Sequence, residues 1–311
     1  MVGNVHGMTS PTTLTTRTPE DVLAAVPVVL GFEPLESIAM LTFGGRETFH
    51  ARIDLPPPEE AADAVRQLLD PALQHRVTRV LFVIYADDGP AARTVVRRLR
   101  RAFTRAGIDV VEVLRAHRGR WFAPGRLGAP PGGVPYDVGD HRFRAQAVVE
   151  GIVVHGSRAE LEAVLLPRAE AVDEVGRAVR RALPSPPGEI ADLVDARLES
   201  GRFTTVELAR VLLGLLEPQG RDAAWGAMTR EVADRHVRLW TDAVQRAPDE
   251  LVATPAALLG LAAWLSGHGA LAWCAVDRCC AVEPDHSLAG LVGDVLTRAL
   301  PPSAWSEEPT G

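Results

Sequence analysis

An α/β domain followed by an all-helical one is what this sequence predicts, on three observations. Residues 79–88 read Arg-Val-Leu-Phe-Val-Ile-Tyr-Ala-Asp-Asp, an unbroken apolar run of the kind that forms a strand buried on both faces. Residues 91–106 carry Val95, Val96, Leu99, Ala102, Phe103 and Ala106 on one arc of a helix and Arg93, Arg97, Arg100, Arg101 and Arg105 on the other, and Gly107 leads into an alternating strand at 108–114. That strand, helix, strand unit has the length of a right-handed βαβ crossover. From Arg168 onward no strand pattern recurs. The expected architecture is a sheet with flanking helices, then a C-terminal helical bundle.

In chain order, residues 1–16 are rich in Thr, Gly and Ser and are expected to be disordered. A helix follows, with Thr18 as its cap, Pro19 in its first turn, Glu20 and Asp21 at its positive end and Gly31 at its C-terminal end. Residues 38–43 and 48–55 read as two strands joined by Gly44-Gly45-Arg46. The triple proline 56–58 leads into a helix at 59–69, and the central strand comes next. Residues 116–140 read as a long Gly/Pro-rich loop, 143–151 as a helix, and Ser157 with Glu160 as a capping box for a helix to Leu166. The α/β domain therefore spans 17–166 and the helical domain 167–301, with a flexible tail at 302–311. Helices are expected at 169–182, 189–199, 204–216, 221–246, 255–266, 269–282 and 286–299. Within them Leu259-Gly260, Ala272, Cys279 and Pro284 fall at the spacings of one tetratricopeptide-like hairpin, and a single unit suits a bundle rather than a solenoid.

Composition narrows the function classes. All 33 basic residues are arginine, which GC-rich coding explains more simply than selection for guanidinium chemistry. Residues 1–166 balance 19 Arg against 19 acidic residues, so the net charge of -7 belongs to the second part, the opposite of a nucleic-acid binder. The arginine face of 91–106 suits an anion patch or, without interleaved aromatics, the solvated outside of a sheet-covering helix, which is preferred. No run reaches the roughly 18 apolar residues of a membrane span, and the N-terminus lacks a basic start before an apolar core. A cytoplasmic protein is expected. Cys274, Cys279 and Cys280 sit on one helix at angles that form neither a zinc site nor a disulfide framework, so they read as small packing residues.

Two constellations carry possible chemistry. At the C-terminal end of the central strand, where open α/β sheets place ligands, stand Tyr85, Asp87 and Asp88. The two carboxylates suit a divalent cation or a general base, but the cap of the helix that starts at Pro90 is the preferred reading, and no third acidic ligand can be placed. In the long loop, Arg118, Arg120, Trp121, Tyr136 and Asp137 combine guanidinium groups with aromatics, a set that recognises a phosphate or a flat ring; alternatively Trp121 plugs the core edge and Tyr136 anchors the loop. His117 and His141 are weighed as an acid/base pair against ordinary loop histidines. No lysine-bearing phosphate loop, nucleophile elbow or zinc-binding helix motif occurs, and Ser157 of His155-Gly156-Ser157 reads as a cap.

The landmark series Val26-Pro27, Leu30-Gly31-Phe32-Glu33-Pro34 with Ser37, Asp54-Leu55-Pro56, Tyr85 with Asp87-Asp88, Gly119-Arg120-Trp121, Pro135-Tyr136-Asp137, Ser157-Arg158 and the tract 262–288 resembles an uncharacterised family, a domain of unknown function common in high-GC Gram-positive bacteria. The resemblance covers about residues 14–305 and implies a cytoplasmic bacterial protein of this architecture, with no activity attached. Several members of that family carry cysteines between the Arg-Trp and Pro-Tyr segments, where this chain has Ala123-Pro124-Gly125-Arg126-Leu127-Gly128-Ala129-Pro130-Pro131, so any metal or redox role of theirs does not transfer.

The expected function is a non-enzymatic module. Its ligand site comprises Tyr85, Asp87, Asp88, Arg118, Arg120, Trp121, Tyr136 and Asp137, with a small phosphorylated ligand and, through the helical half, a protein partner. No cofactor is specified, and no metal, nucleic acid or membrane partner is expected. The alternative is a hydrolase or transferase acting on a phosphorylated small molecule at the same strand end.

Overall fold

A computed structural model describes residues 3–6, 13–45, 49–87, 89–126 and 130–305. The chain divides into two compact units, residues 1–158 and 159–311. Residues 164 and 168 go with the helical unit because the Gln245 side chain donates to the Val164 carbonyl (2.7 Å) and the Arg168 amide donates to the Gln245 carbonyl (2.8 Å). The sequence had placed the boundary at Pro167.

The first unit begins with β1 (Gly3–His6) and β2 (Thr13–Thr16), an antiparallel ladder in the stretch expected to be disordered; the β-branched Val and Thr residues there favour extended backbone. Helix α1 (Pro19–Leu30) has the expected cap at Thr18, which forms a reciprocal capping box with Asp21, and Gly31 takes the left-handed cap conformation (φ 78°) that lets the chain leave the helix sharply. Next come β3 (Ser37–Phe43), β4 (His50–Asp54), α2 (Ala61–Gln74), β5 (Arg79–Tyr85), α3 (Pro90–Arg105) and β6 (Asp109–His117). Strand β7 (Arg120–Phe122), strand β8 (Val134–Pro135) and helix α4 (Arg142–Val149) complete the unit.

Six strands form one mixed sheet in the order β4-β3-β5-β6-β7-β8. Only β5 and β6 are parallel, joined by α3 as the crossover; every other neighbour is antiparallel. The run 80–84 is fully buried because both faces are covered. On one face Ala39, Leu41, Leu81, Val83, Leu114 and Ala116 pack with α1 and with Phe143 and Ala147 of α4. On the other, Phe82 meets Phe103 of α3 edge-on at 5.0 Å, and α2 lies beside α3. The arginine arc of α3 is exposed except for the half-buried Arg100, which donates to the Pro124 carbonyl.

The stretch 116–140, expected as loop, contains a hairpin and an edge strand. Arg118 (φ 47°) and Gly119 (φ 68°) are both left-handed and close a two-residue turn of the primed type between β6 and β7. Asp88 and residues 127–129 lie outside the described residues.

Among its described residues the second unit has helices and no strand, as the lack of strand periodicity predicts: α5 (Arg158–Ala163), α6 (Ala169–Val179), α7 (Pro187–Arg197), α8 (Thr205–Gly214), α9 (Pro218–Trp225), α10 (Ala233–Arg246), α11 (Ala253–Leu265), α12 (Gly269–Cys280) and α13 (Ser287–Thr297). The single helix expected over 221–246 is two, because the chain turns at Gly226 before α10 starts. Helices α11 and α12 form a hairpin in which a Cβ at Gly260 would meet Val276 and the Ala272 carbonyl at ordinary contact distance. Cys274 and Cys279 are buried packing residues, and burial pushes the Cys279 thiol up to about 12, which keeps it protonated and inert. Part of the expected flexible tail packs on the helices: the Trp305 ring lies tilted against Trp225 and edge-on to Trp264, and the Trp264 indole donates to the Leu300 carbonyl.

Candidate functional site

Most of the polar residues of the long loop are engaged in contacts within the loop or with neighbouring segments. The Arg120 side chain donates to the carbonyls of Gly132 (2.7 Å) and Gly133 (3.0 Å), which ties β7 to the segment before β8. Trp121 is 9 % exposed and its indole donates to Glu20 at 2.8 Å, so it plugs the core under the start of α1. Asp137 accepts from the Gly139 amide and Asp87 from the Gly89 amide, each two residues on, the geometry of an Asx turn. The Arg118 side chain is exposed on the hairpin turn.

His141 has no nitrogen left for acid/base work. Its Nδ1 accepts from the Phe143 amide and so caps α4, while its Nε2 lies 3.1 Å from Asp21, itself buried at the start of α1. The tautomer that satisfies both contacts carries its proton on Nε2 and donates it to Asp21. Burial raises the Asp21 pKa, but the Arg17 and Thr18 amides, the Arg142 guanidinium and His141 outweigh it, and the carboxyl sits below its ordinary value. This contact fixes the start of α4 against α1.

A different set converges at the C-terminal end of β5. Ser37, the first residue of β3, pairs across the sheet with Tyr85, the last of β5, which puts both side chains on the face covered by α1 and α4. The Tyr85 Oη and the Ser37 Oγ are both buried without a hydrogen-bond partner among the described residues, and so is the Nε of Arg144. Arg144 lies in the first turn of α4 and forms an ion pair with Glu33. Glu33 follows the α1 cap, where its amide donates to the His155 carbonyl (2.9 Å) and His155 donates back to Gly31 (2.8 Å). Tyr136, whose amide donates to the Gly119 carbonyl (2.9 Å), closes the group. Burial raises the Tyr85 phenol well above its ordinary value, helped by Tyr136 and Glu33 and opposed by Arg144; Tyr136 is raised by burial and Glu33 in the same way. These are the only two tyrosines in the chain.

Of the eight residues expected at the site, then, the cluster brings together Tyr85 and Tyr136. It adds Glu33, Ser37 and Arg144, of which the first two belong to the landmark series. Arg144 gave no signal in the sequence, because its partner lies 111 residues away. Arg115 was also missed. It is 7 % exposed, its guanidinium lies 3.8 Å from the Phe122 ring centre and donates to the Ala86 carbonyl (3.2 Å).

A family model described as a domain of unknown function (DUF4192) matches residues 19–303. The chain belongs to that family. The match spans both units of this chain, the mixed sheet and the helices that follow it. No curated protein and no solved structure matches the chain. Among the described residues no helix is long and apolar enough to cross a membrane.

Proposed function

We propose that the protein is a non-enzymatic binding module whose ligand site is the cluster of Tyr85, Ser37, Tyr136, Glu33 and Arg144 at the C-terminal end of β5. The observation that carries this reading is the pair of buried, unpartnered hydroxyls on facing strands. A buried hydroxyl without a partner costs about 1–3 kcal/mol, so phenylalanine and alanine would serve a purely structural role better. Strained or unsatisfied groups that persist at the ligand-bearing end of an α/β sheet point to function. A binding role is favoured over the hydrolase or transferase alternative because the polar side chains needed for chemistry are committed elsewhere. His141 is held at both nitrogens, and Asp87 caps the turn before α3.

The test uses the two tyrosines as reporters. Full-length protein with isotope-labelled tyrosine gives two ring signals, both from the cluster. Added in turn, members of a panel of nucleotides, sugar phosphates and small carboxylates should include one that shifts both signals saturably. The Tyr136 signal of Tyr85→Phe should then respond at least about tenfold more weakly, the discrimination expected when a buried polar contact is lost. A wild-type protein whose tyrosines respond to nothing in the panel, with Tyr85→Phe markedly less stable, would overturn the reading.

A further inference from the structure

The direction of the unpartnered groups narrows the ligand chemistry. The Arg144 Nε–H can only donate, and the hydroxyls of Tyr85 and Ser37 each have a proton to give. Three donors, two on paired residues of neighbouring strands and the third on an arginine whose charge is felt by Tyr85, match a group that only accepts. The Glu33 carboxylate is already such a group, seated on the Arg144 guanidinium. Its position is telling: the side chains of Arg144 and Glu33 are 25 % and 37 % exposed, whereas the Tyr85 and Ser37 oxygens are buried. The ion pair therefore lies on the solvent side of the hydroxyls. Glu33 can swing into water at little cost, since its charge is already partly hydrated, but Arg144 keeps its Nε in the protein.

We infer that the site takes an oxyanion, a carboxylate or phosphoryl group, and that Glu33 holds its place in the free protein. On binding, the ligand's oxygens replace the Glu33 carboxylate on Arg144 and accept from the Tyr85 and Ser37 hydroxyls. Exchange of one anion for another leaves the site electrically balanced, which avoids the large cost of an uncompensated buried charge. The inference rests on the ligand-site reading above and adds the chemical class and the internal competitor.

The test is a titration of the tyrosine-labelled full chain with inorganic phosphate, acetate and glycerol, for the wild type, Glu33→Gln and Arg144→Gln, each first checked for native circular dichroism. Phosphate or acetate should shift both tyrosine signals saturably, and Glu33→Gln should tighten that response by about tenfold through loss of a competing like charge. Arg144→Gln should abolish it, with Arg144→Lys partly restoring it if the glutamine variant is poorly folded. A response to phosphate alone assigns a phosphoryl ligand, and one to acetate alone a carboxylate. A saturable response to glycerol with none to either oxyanion would overturn the oxyanion class but leave a ligand site in place. No response to any of the three by Glu33→Gln would overturn the inference outright. Loss of the site itself reads out separately, as a Tyr85→Phe protein less stable than the wild type.

Discussion

The loop that runs from Arg118 to Asp137 and the cluster around Tyr85 hold the same kinds of side chain, yet they are in opposite states. In the loop nearly every polar group has a partner inside the protein: Arg120 on two carbonyls, Trp121 on Glu20, Asp137 on Gly139. In the cluster three buried polar atoms have none among the described residues. Arginines beside aromatics are thus no guide to a site unless their hydrogen bonds are followed to the end. Satisfied polar groups stiffen a fold, whereas each unsatisfied buried group calls for an explanation, and at the end of β5 three of them gather beside an ion pair.

Substitutions should separate the two regions. Trp121→Ala should be the most damaging, at about 3 kcal/mol or more, because it empties a buried aromatic site and strips Glu20 of its donor. Urea denaturation measures it; a variant close to wild type in stability would return Trp121 to the list of ligand contacts.

A third region sharpens the contrast. His236 on α10 is fully buried, neither ring nitrogen has a partner among the described residues, and burial, opposed by the charge of Asp195, lowers its pKa to about 4. The folded state resists protonation that the unfolded chain accepts near the ordinary value of 6.5, so stability is complete above that pH and falls as pH drops toward 4, by about 3 kcal/mol in all. Stability measured at pH 7 and pH 4.5 should show this loss in the wild type and a smaller one in His236→Gln. Equal losses in both proteins would assign the acid sensitivity to other groups.

Asp21→Asn should cost about 2 kcal/mol by weakening the contacts to His141 and Arg142 that fix the start of α4. Because the Asp21 carboxyl is held below its ordinary value, its contribution is present at neutral pH and disappears as the solution is acidified through that lowered value. Thermal melts at pH 7 and at strongly acid pH check both the size and the sign. The smallest effect belongs to Asp87→Ala, about 1 kcal/mol or less from loss of one turn contact, with the tyrosine signals unmoved.

How much of this could be read beforehand depends on range. The buried strand, the capped first helix and the βαβ unit are local patterns, and β5, α1 and α3 formed where periodicity placed them. The Arg118-Gly119 turn was not read, because arginine is an unusual residue for the left-handed first position of such a turn and the many glycines and prolines that follow made the whole stretch look like a loop. The cluster was half legible: Tyr85 was placed at the strand end, whereas Ser37 and Glu33 stood out only in the landmark series. Arg144 and the lack of partners were beyond reach. Whether a hydroxyl is satisfied depends on which distant segments meet, and here β3, β5, the end of α1 and the start of α4 must all be assembled first.

The most direct test is the stability of Tyr85→Phe. The phenol oxygen is buried without a partner, so its removal should leave the free protein as stable as the wild type or about 1 kcal/mol more stable in urea denaturation, with an unchanged slope. A loss of about 1 kcal/mol or more, the penalty for deleting a satisfied buried hydroxyl, would show that Tyr85 is a structural residue and would contradict the site proposed at the end of β5.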